Sequence, residues 1–421
     1  MLNRRDFLKT VGAIAAGSAL SGCAGMGRAG SGHVVVVGGG YGGATAAKYL
    51  RMWSKGAVKV TLVERNPQFV SCPISNLVIG GVKQMQDITL GYDKLRSTWG
   101  VNVITDDVTA IDPARRTVTT ARSGTLNYDR LVLSPGIDFI PGAIAGLDGN
   151  DNRIPHAWKA GPQTVLLRQQ LTAMKDGGVY AIQIPKAPYR CPPGPYERAC
   201  VVANYLRATK PKSKILVLDA NPEIQSKKAL FTKAFDSYKG MIEYRPNSEL
   251  HAVDATTLTA ELEFDKIKAD VLNVIPPMRA GNIATTAGLP LINSRWVDID
   301  WLSYEAKGVP GVHVLGDALF PAPTMPKSGH MANQHAKVAA AAILNLLAGE
   351  APNPTPVVMN TCYSFVDGKN VIHVASVHQY DAEKKQPMPV AGAGGVSLAA
   401  NEIEGKVALA WAQNIWADML A

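Results

Sequence analysis

His33-Val34-Val35-Val36-Val37-Gly38-Gly39-Gly40-Tyr41-Gly42-Gly43 is the stretch that decides the fold. Its valine run has no polar alternation, as expected of a parallel strand covered on both faces. The glycines supply Gly-x-Gly-x-x-Gly through Gly38, Gly40 and Gly43. The first permits a tight turn, the second a close approach of backbone to pyrophosphate, and the third close packing of helix on strand. Residues 44–50 then read as a helix whose N-terminal N–H groups point at the phosphates. The next strand, Val58 to Val63, ends in Glu64, where a carboxylate can meet the adenosine ribose hydroxyls. Strand, turn, helix, strand and acid in this order predict a dinucleotide-binding unit.

The rest of the composition agrees. The chain has 421 residues, 47% hydrophobic and 18% charged, with 39 Gly and 27 Pro. That excludes a disordered, collagen-like or multi-span membrane chain. The formal charge is +9. Its basic residues are not interleaved with aromatics as in a nucleic-acid groove, so no nucleic acid is expected. The charge suits an anionic small substrate or an acidic protein partner. Five cysteines are too few for a disulfide scaffold, and no Cys/His spacing suits zinc, so no metal is expected.

The N-terminus reads as an address. Asn3-Arg4-Arg5-Asp6-Phe7-Leu8-Lys9 is a twin-arginine signature, followed by an apolar stretch too short to span a bilayer. That route exports folded proteins, which predicts a periplasmic location. Leu20-Ser21-Gly22-Cys23 reads as a lipobox, so a lipid anchor at Cys23 on the outer face of the membrane is expected. Ordinary cleavage near Ala29-Gly30 is the alternative.

Two later segments choose between flavin and nicotinamide. Asp129 to Leu133 is a strand ending in Ser134-Pro135-Gly136, and Gly311 to Leu315 is a strand ending in Gly316-Asp317. An Asp there can hold a ribityl hydroxyl. Lys327-Ser328-Gly329-His330 leads into an Ala-rich helix, Ala332 to Leu347, whose dipole would face the flavin pyrimidine edge. In this chain order the segments resemble the two-dinucleotide-domain flavoprotein superfamily. There, a second glycine turn usually serves NAD(P)H. Here the strand Val179 to Ile184 is followed by the Pro-rich residues 185–197, and proline offers no N–H to a phosphate. The helix Arg198 to Leu206 and the strand Lys214 to Leu218, ending in Asp219, keep only the outline. A Rossmann-like domain without a nicotinamide site is expected.

Cys72, Cys191, Cys200 and Cys362 remain, with no Cys-x-x-Cys among them. Taken alone, distant cysteines suit a structural disulfide or buried thiols as well as a redox centre. Their surroundings narrow the choice. Val70-Ser71-Cys72-Pro73-Ile74-Ser75-Asn76, His156-Ala157-Trp158-Lys159, Arg190-Cys191-Pro192-Pro193-Gly194-Pro195-Tyr196-Glu197-Arg198, Pro326-Lys327-Ser328-Gly329 and Asn360-Thr361-Cys362-Tyr363-Ser364 closely resemble the flavoprotein subunit of flavocytochrome c sulfide dehydrogenase. The resemblance covers essentially the whole mature chain. It implies that Cys72 carries FAD covalently, that Cys191 and Cys362 form a redox disulfide facing the flavin, and that Glu197 is a nearby acid or base. Trp411 would be the aromatic between the flavin and a haem partner. The chain departs from the family pattern at Pro73, where a larger residue is expected, at the extra Cys200, read as a buried helix thiol, and at the lipobox.

The chemistry implied is attack of hydrosulfide on the disulfide, giving a persulfide and a thiolate, with two electrons passing to the flavin. Arg190 and Lys186 would attract the anion and lower thiol pKa values. No Cys-x-x-Cys-His occurs, so haem would sit on a c-type cytochrome subunit, with the helix Val407 to Leu420 as partner face or as core. A sulfide:quinone oxidoreductase is the nearest rival. A non-catalytic flavoprotein and a pyridine-nucleotide disulfide reductase stand further off. The expected fold is α/β: two Rossmann-like dinucleotide-binding domains, the second degenerate, plus a C-terminal α+β interface domain. The expected boundaries are 1–30 for the signal segment, 31–144 and 281–351 for the FAD domain, 145–280 for the second domain and 352–421 for the interface domain.

Overall fold

The Val34–Val37 run is the middle of a five-stranded parallel sheet. In the computed structural model, which describes residues 31–421, the order is Val312–Val314, Arg130–Leu133, Gly32–Val37, Val58–Glu64, Asn102–Thr105. The twin-arginine segment and Cys23 lie outside the described residues. Val34, Val35 and Val36 are fully buried, which explains why the strand carries no polar alternation. Val37 pairs with both Val63 and Leu133, so three strands end at one level. Gly38, Glu64 and Ser134 therefore emerge together at the carboxyl edge, where open α/β sheets bind ligands.

The helix Tyr41–Trp53 starts one turn earlier than the sequence suggests, because the glycine turn itself enters it. The helix Gly329–Leu347 also starts earlier, since the Ser328 hydroxyl caps it by accepting from Met331 N at 3.0 Å. The two pack together, with Asn333 Nδ2 donating to Thr45 Oγ1 at 3.0 Å.

A second sheet holds four parallel strands in the order Ile242–Arg245, Lys214–Asp219, Val179–Ile184, Val271–Val274. The helix Gly194–Thr209 begins inside the Pro-rich segment. Proline fits its first turn, where an N–H would have no helical partner. The chain crosses between the two sheets twice, and the crossings pair as antiparallel strands, Ile137–Phe139 with Met278–Ala280. The C-terminal unit is an antiparallel sheet of Val357–Phe365, Val371–Asp381 and Gln386–Val396, followed by the helix Glu402–Leu420. Asn401 caps that helix, accepting from Glu404 N at 2.8 Å, so it starts before Val407. The class is α/β, with two Rossmann-like sheets.

Candidate active site

The carboxyl edge of the first sheet opens on a cavity of about 470 Å³. Gly40, Glu64, Gly136, Gly316, Asp317 and Ser328 line it. Cys72, Cys191, Glu197, Cys362 and Trp411 line the same cavity. Eleven of the residues singled out by sequence thus converge, from stretches up to several hundred positions apart.

Gly38, Gly43 and Pro135 stand behind the wall instead. A Cβ on Gly43 would lie 1.8 Å from the Gly38 carbonyl oxygen, so only glycine lets the helix sit on the turn. Gly38 has φ +96, and a Cβ there would meet the Ser134 carbonyl at 2.4 Å. Pro135 packs against Gly281, whose own Cβ would fall 2.7 Å from it. Glu64 accepts from Gly39 N at 2.6 Å and from Asn66 N and Nδ2, both at 2.9 Å, which fixes its carboxylate at the strand end.

The Lys327 side chain turns inward. Its ammonium does not line the cavity; it donates to the carbonyls of Asp317, at 3.0 Å, and Leu319, beneath the Trp296 ring. Burial lowers it from 10.5 to about 7. Lys186 is displaced: it pairs with Glu249 at the surface. Arg190 stays at the cavity, 4.0 Å from Asp317 and donating to the Trp158 carbonyl.

Cys191 sits in the left-handed region at φ 58, its N–H donating to the Lys327 carbonyl at 2.8 Å. Gly194 makes room for it, since a Cβ at 194 would approach the Cys191 Sγ to 2.9 Å. Cys362 comes from the Val357–Phe365 strand, opposite Val374. Both are free thiols, and both line this one cavity. The expected lowering of thiol pKa values does not occur. Burial raises both, Cys191 further, and outweighs Arg190 and a second cation, Lys227.

Glu197 is buried. Its Oε1 accepts from Phe365 N at 2.8 Å and its Oε2 from Asn76 Nδ2 at 2.7 Å. Burial still raises its pKa. Cys72 accepts at sulfur from Ala160 N at 3.4 Å. Cys200 is a fully buried helix thiol. Trp411 packs against His330 and Tyr363, with ring centroids 5.6 and 5.9 Å away. Trp416 is internal and donates to Tyr41 Oη at 3.0 Å.

Sequence reasoning missed Lys227 altogether and gave no role to Asn76, Arg198 and Asn360, although they stand in the quoted segments. Arg198 donates to Asn76 Oδ1, Asn273 Oδ1 and the carbonyls of His156 and Ala157, tying the cavity walls together. Asn360 Nδ2 donates to Cys362 Sγ at 3.2 Å. In the second unit, the strand-end acid Asp219 is fully buried and accepts from Tyr196 Oη at 2.7 Å and Tyr244 Oη at 2.9 Å. Its carboxylate is used inside the protein.

Residues 164–276 match the model of the sulfide dehydrogenase [flavocytochrome c] flavoprotein chain, central domain. Residues 354–420 match the flavocytochrome c sulphide dehydrogenase flavin-binding model, and 32–168 the pyridine nucleotide-disulphide oxidoreductase model. A sulfide dehydrogenase [flavocytochrome c] flavoprotein chain of Chlorobaculum thiosulfatiphilum is 57% identical over 49 residues, 100% of that sequence and 12% of this one. The chain belongs to the flavocytochrome c sulfide dehydrogenase flavoprotein family.

This flavoprotein is also similar to sulfide:quinone enzymes. The mitochondrial one of Dictyostelium discoideum is 23% identical over 299 residues, 68% of this chain and 64% of that one. A sulfide-quinone reductase of Aquifex aeolicus is 33% identical over 111 residues, 26% of either chain. The matches therefore span less than two thirds of either relative. An X-ray structure of the sulfide:quinone oxidoreductase from Aquifex aeolicus superposes with a TM-score of 0.74 at 20% identity, covering 92% of this chain and 91% of that one.

The cavity fits the flavin cofactor that the family models imply. Asp317 Oδ1 is buried without a hydrogen-bond partner, as a ligand hydroxyl would require. A Cβ at Gly40 or Gly136 would meet no protein atom within 4 Å, so these backbones face open space a ligand can fill. The start of the helix Gly329–Leu347 lines the same cavity.

Proposed function

We propose that the protein oxidises sulfide at a Cys191–Cys362 redox disulfide beside FAD and passes the electrons to a c-type cytochrome partner. The observation that carries this reading is the meeting of Cys191, Cys362 and Glu197 in the cavity that the glycine turn and Asp317 open onto. Bound flavin supplies an acceptor that takes electrons in pairs and releases them singly. The chain's own residues do the rest. Cys191 and Cys362 exchange their mutual bond for one to sulfur. Arg190, at the cavity, and Lys227, bonded to the Cys362 carbonyl, put positive charge near the cysteines, which favours an anionic substrate. Glu197, held by Asn76 and Phe365 and raised by burial, is suited to hold a proton near the sulfurs.

Cys72 is the residue to carry FAD covalently, since it lines the cavity. Trp411, with His330 and Tyr363, would lie on the way to the haem partner. The buried, tyrosine-bound Asp219 supports an acceptor other than NAD(P)H. Twin-arginine export to the periplasm, with a lipid on Cys23, completes the proposal. A quinone acceptor is the second reading, favoured by the similarity to the sulfide:quinone enzymes. Sulfide-dependent reduction of cytochrome c, compared with that of a short-chain quinone, separates the two. Faster turnover with quinone would transfer the proposal to the second reading.

A further inference from the structure

Lys227 belongs to no motif, yet it reaches the sulfur centre from the second unit. It precedes the helix Lys228–Ser237 with a left-handed backbone, φ 53. Its ammonium crosses to the Val357–Phe365 strand and donates to the Cys362 carbonyl at 3.0 Å and Ser364 Oγ at 2.8 Å. These hydrogen-bond partners are uncharged, so the cation's counter-charge must come from elsewhere. Among charged groups, a Cys362 thiolate acts on it most strongly, ahead of Glu197. Cys362 has a second support. Asn360 donates to its sulfur, and Ser328 Oγ fixes Asn360 by donating to its Oδ1 at 2.5 Å. No side chain donates to the Cys191 sulfur among the described residues. Cys191 is also less buried than Cys362.

A disulfide attacked by a thiolate-like nucleophile splits so that the better-stabilised sulfur leaves. We propose that Lys227 is a positioning residue that makes Cys362 the leaving sulfur, so that hydrosulfide attacks Cys191. This rests on the disulfide reading above. The hydrosulfide electron pair forms a bond to Cys191 Sγ. The Cys191–Cys362 bond breaks, and its pair leaves on Cys362 as a thiolate. The product is a Cys191 persulfide, which keeps the hydrosulfide proton. One sulfide has been oxidised and one disulfide sulfur reduced, with no further reagent.

The test uses the oxidised, FAD-loaded chain, mixed anaerobically with less than one equivalent of sulfide, quenched with an alkylating reagent and mapped by peptide mass. The persulfide is expected on the Cys191 peptide in at least about tenfold excess over the Cys362 peptide. Lys227→Gln keeps a donor and removes the charge, and should bring that ratio several-fold closer to parity. Lys227→Arg should restore it, which a merely structural role would not require. Persulfide mainly on Cys362 in the native chain overturns the inference, as does an unchanged ratio in Lys227→Gln. Persulfide on neither peptide refutes the disulfide reading itself, and the inference falls with it.

Discussion

Gly40 and Gly43, three residues apart in the same turn, should fail in different ways. Gly40 precedes the helix with φ −73 and ψ −164, a conformation alanine adopts freely. An alanine Cβ there meets no protein atom within 4 Å, but it projects into the space assigned to the cofactor. Gly40→Ala should therefore leave apoprotein stability within about 0.5 kcal/mol of native. It should weaken FAD by the cost of one forced overlap, about 1–3 kcal/mol, or roughly five- to 150-fold in Kd. At Gly43 the Cβ lands 1.8 Å from the Gly38 carbonyl, and backbone cannot rotate away. Gly43→Ala should lose about 1–3 kcal/mol or more of folding stability as helix and strand part, and lose FAD as a consequence. The assay is urea unfolding of the apoproteins, with FAD titration by fluorescence quenching. A Cys72→Ala background prevents covalent attachment from masking affinity. Native FAD affinity in Gly40→Ala, or native stability in Gly43→Ala, would refute the reasoning.

Three further outcomes follow from the geometry. Cys72→Ala should release all flavin into the supernatant on acid precipitation; flavin retained in the pellet would exclude Cys72 as the attachment point. Asp219→Ala should cost about 2 kcal/mol or more, because two buried tyrosine hydroxyls lose their acceptor; an unchanged urea midpoint would contradict the internal role. Lys327 titrates near 7 in the folded chain and near 10.5 when unfolded, so between those values the unfolded state binds more protons and stability rises with pH. Lys327→Met should flatten that rise between pH 7 and 9, measured as urea midpoints; an equal slope in both proteins would count against the lowering of Lys327 by burial.

The first sheet was legible because its signals are local. Residues 32–64 carry strand, turn, helix, strand and acid in one uninterrupted run, and each glycine has a steric reason visible in the spacing. Helix starts were less legible, since Ser328 and Asn401 extend their helices by capping, beyond the apolar run that marks the body. The cysteines were visible as residues, but their meeting depends on a helix start and a strand in separate units. Lys227 was invisible, and Asn76 and Arg198 stood in quoted segments without a role, for the same reason: their partners lie more than a hundred residues away, and no periodicity links them. Lys186 was misread because a charge near a motif in sequence can still turn to a surface carboxylate.

The central claim is that Cys191 and Cys362 together carry sulfide's electrons to the cofactor. An anaerobic sulfide titration of the FAD-loaded chain, followed at the flavin absorbance band, tests it most directly. The native protein should bleach with about one equivalent of sulfide, while Cys191→Ser and Cys362→Ser keep their flavin and stay yellow. Full bleaching of either variant at the native rate would contradict the account.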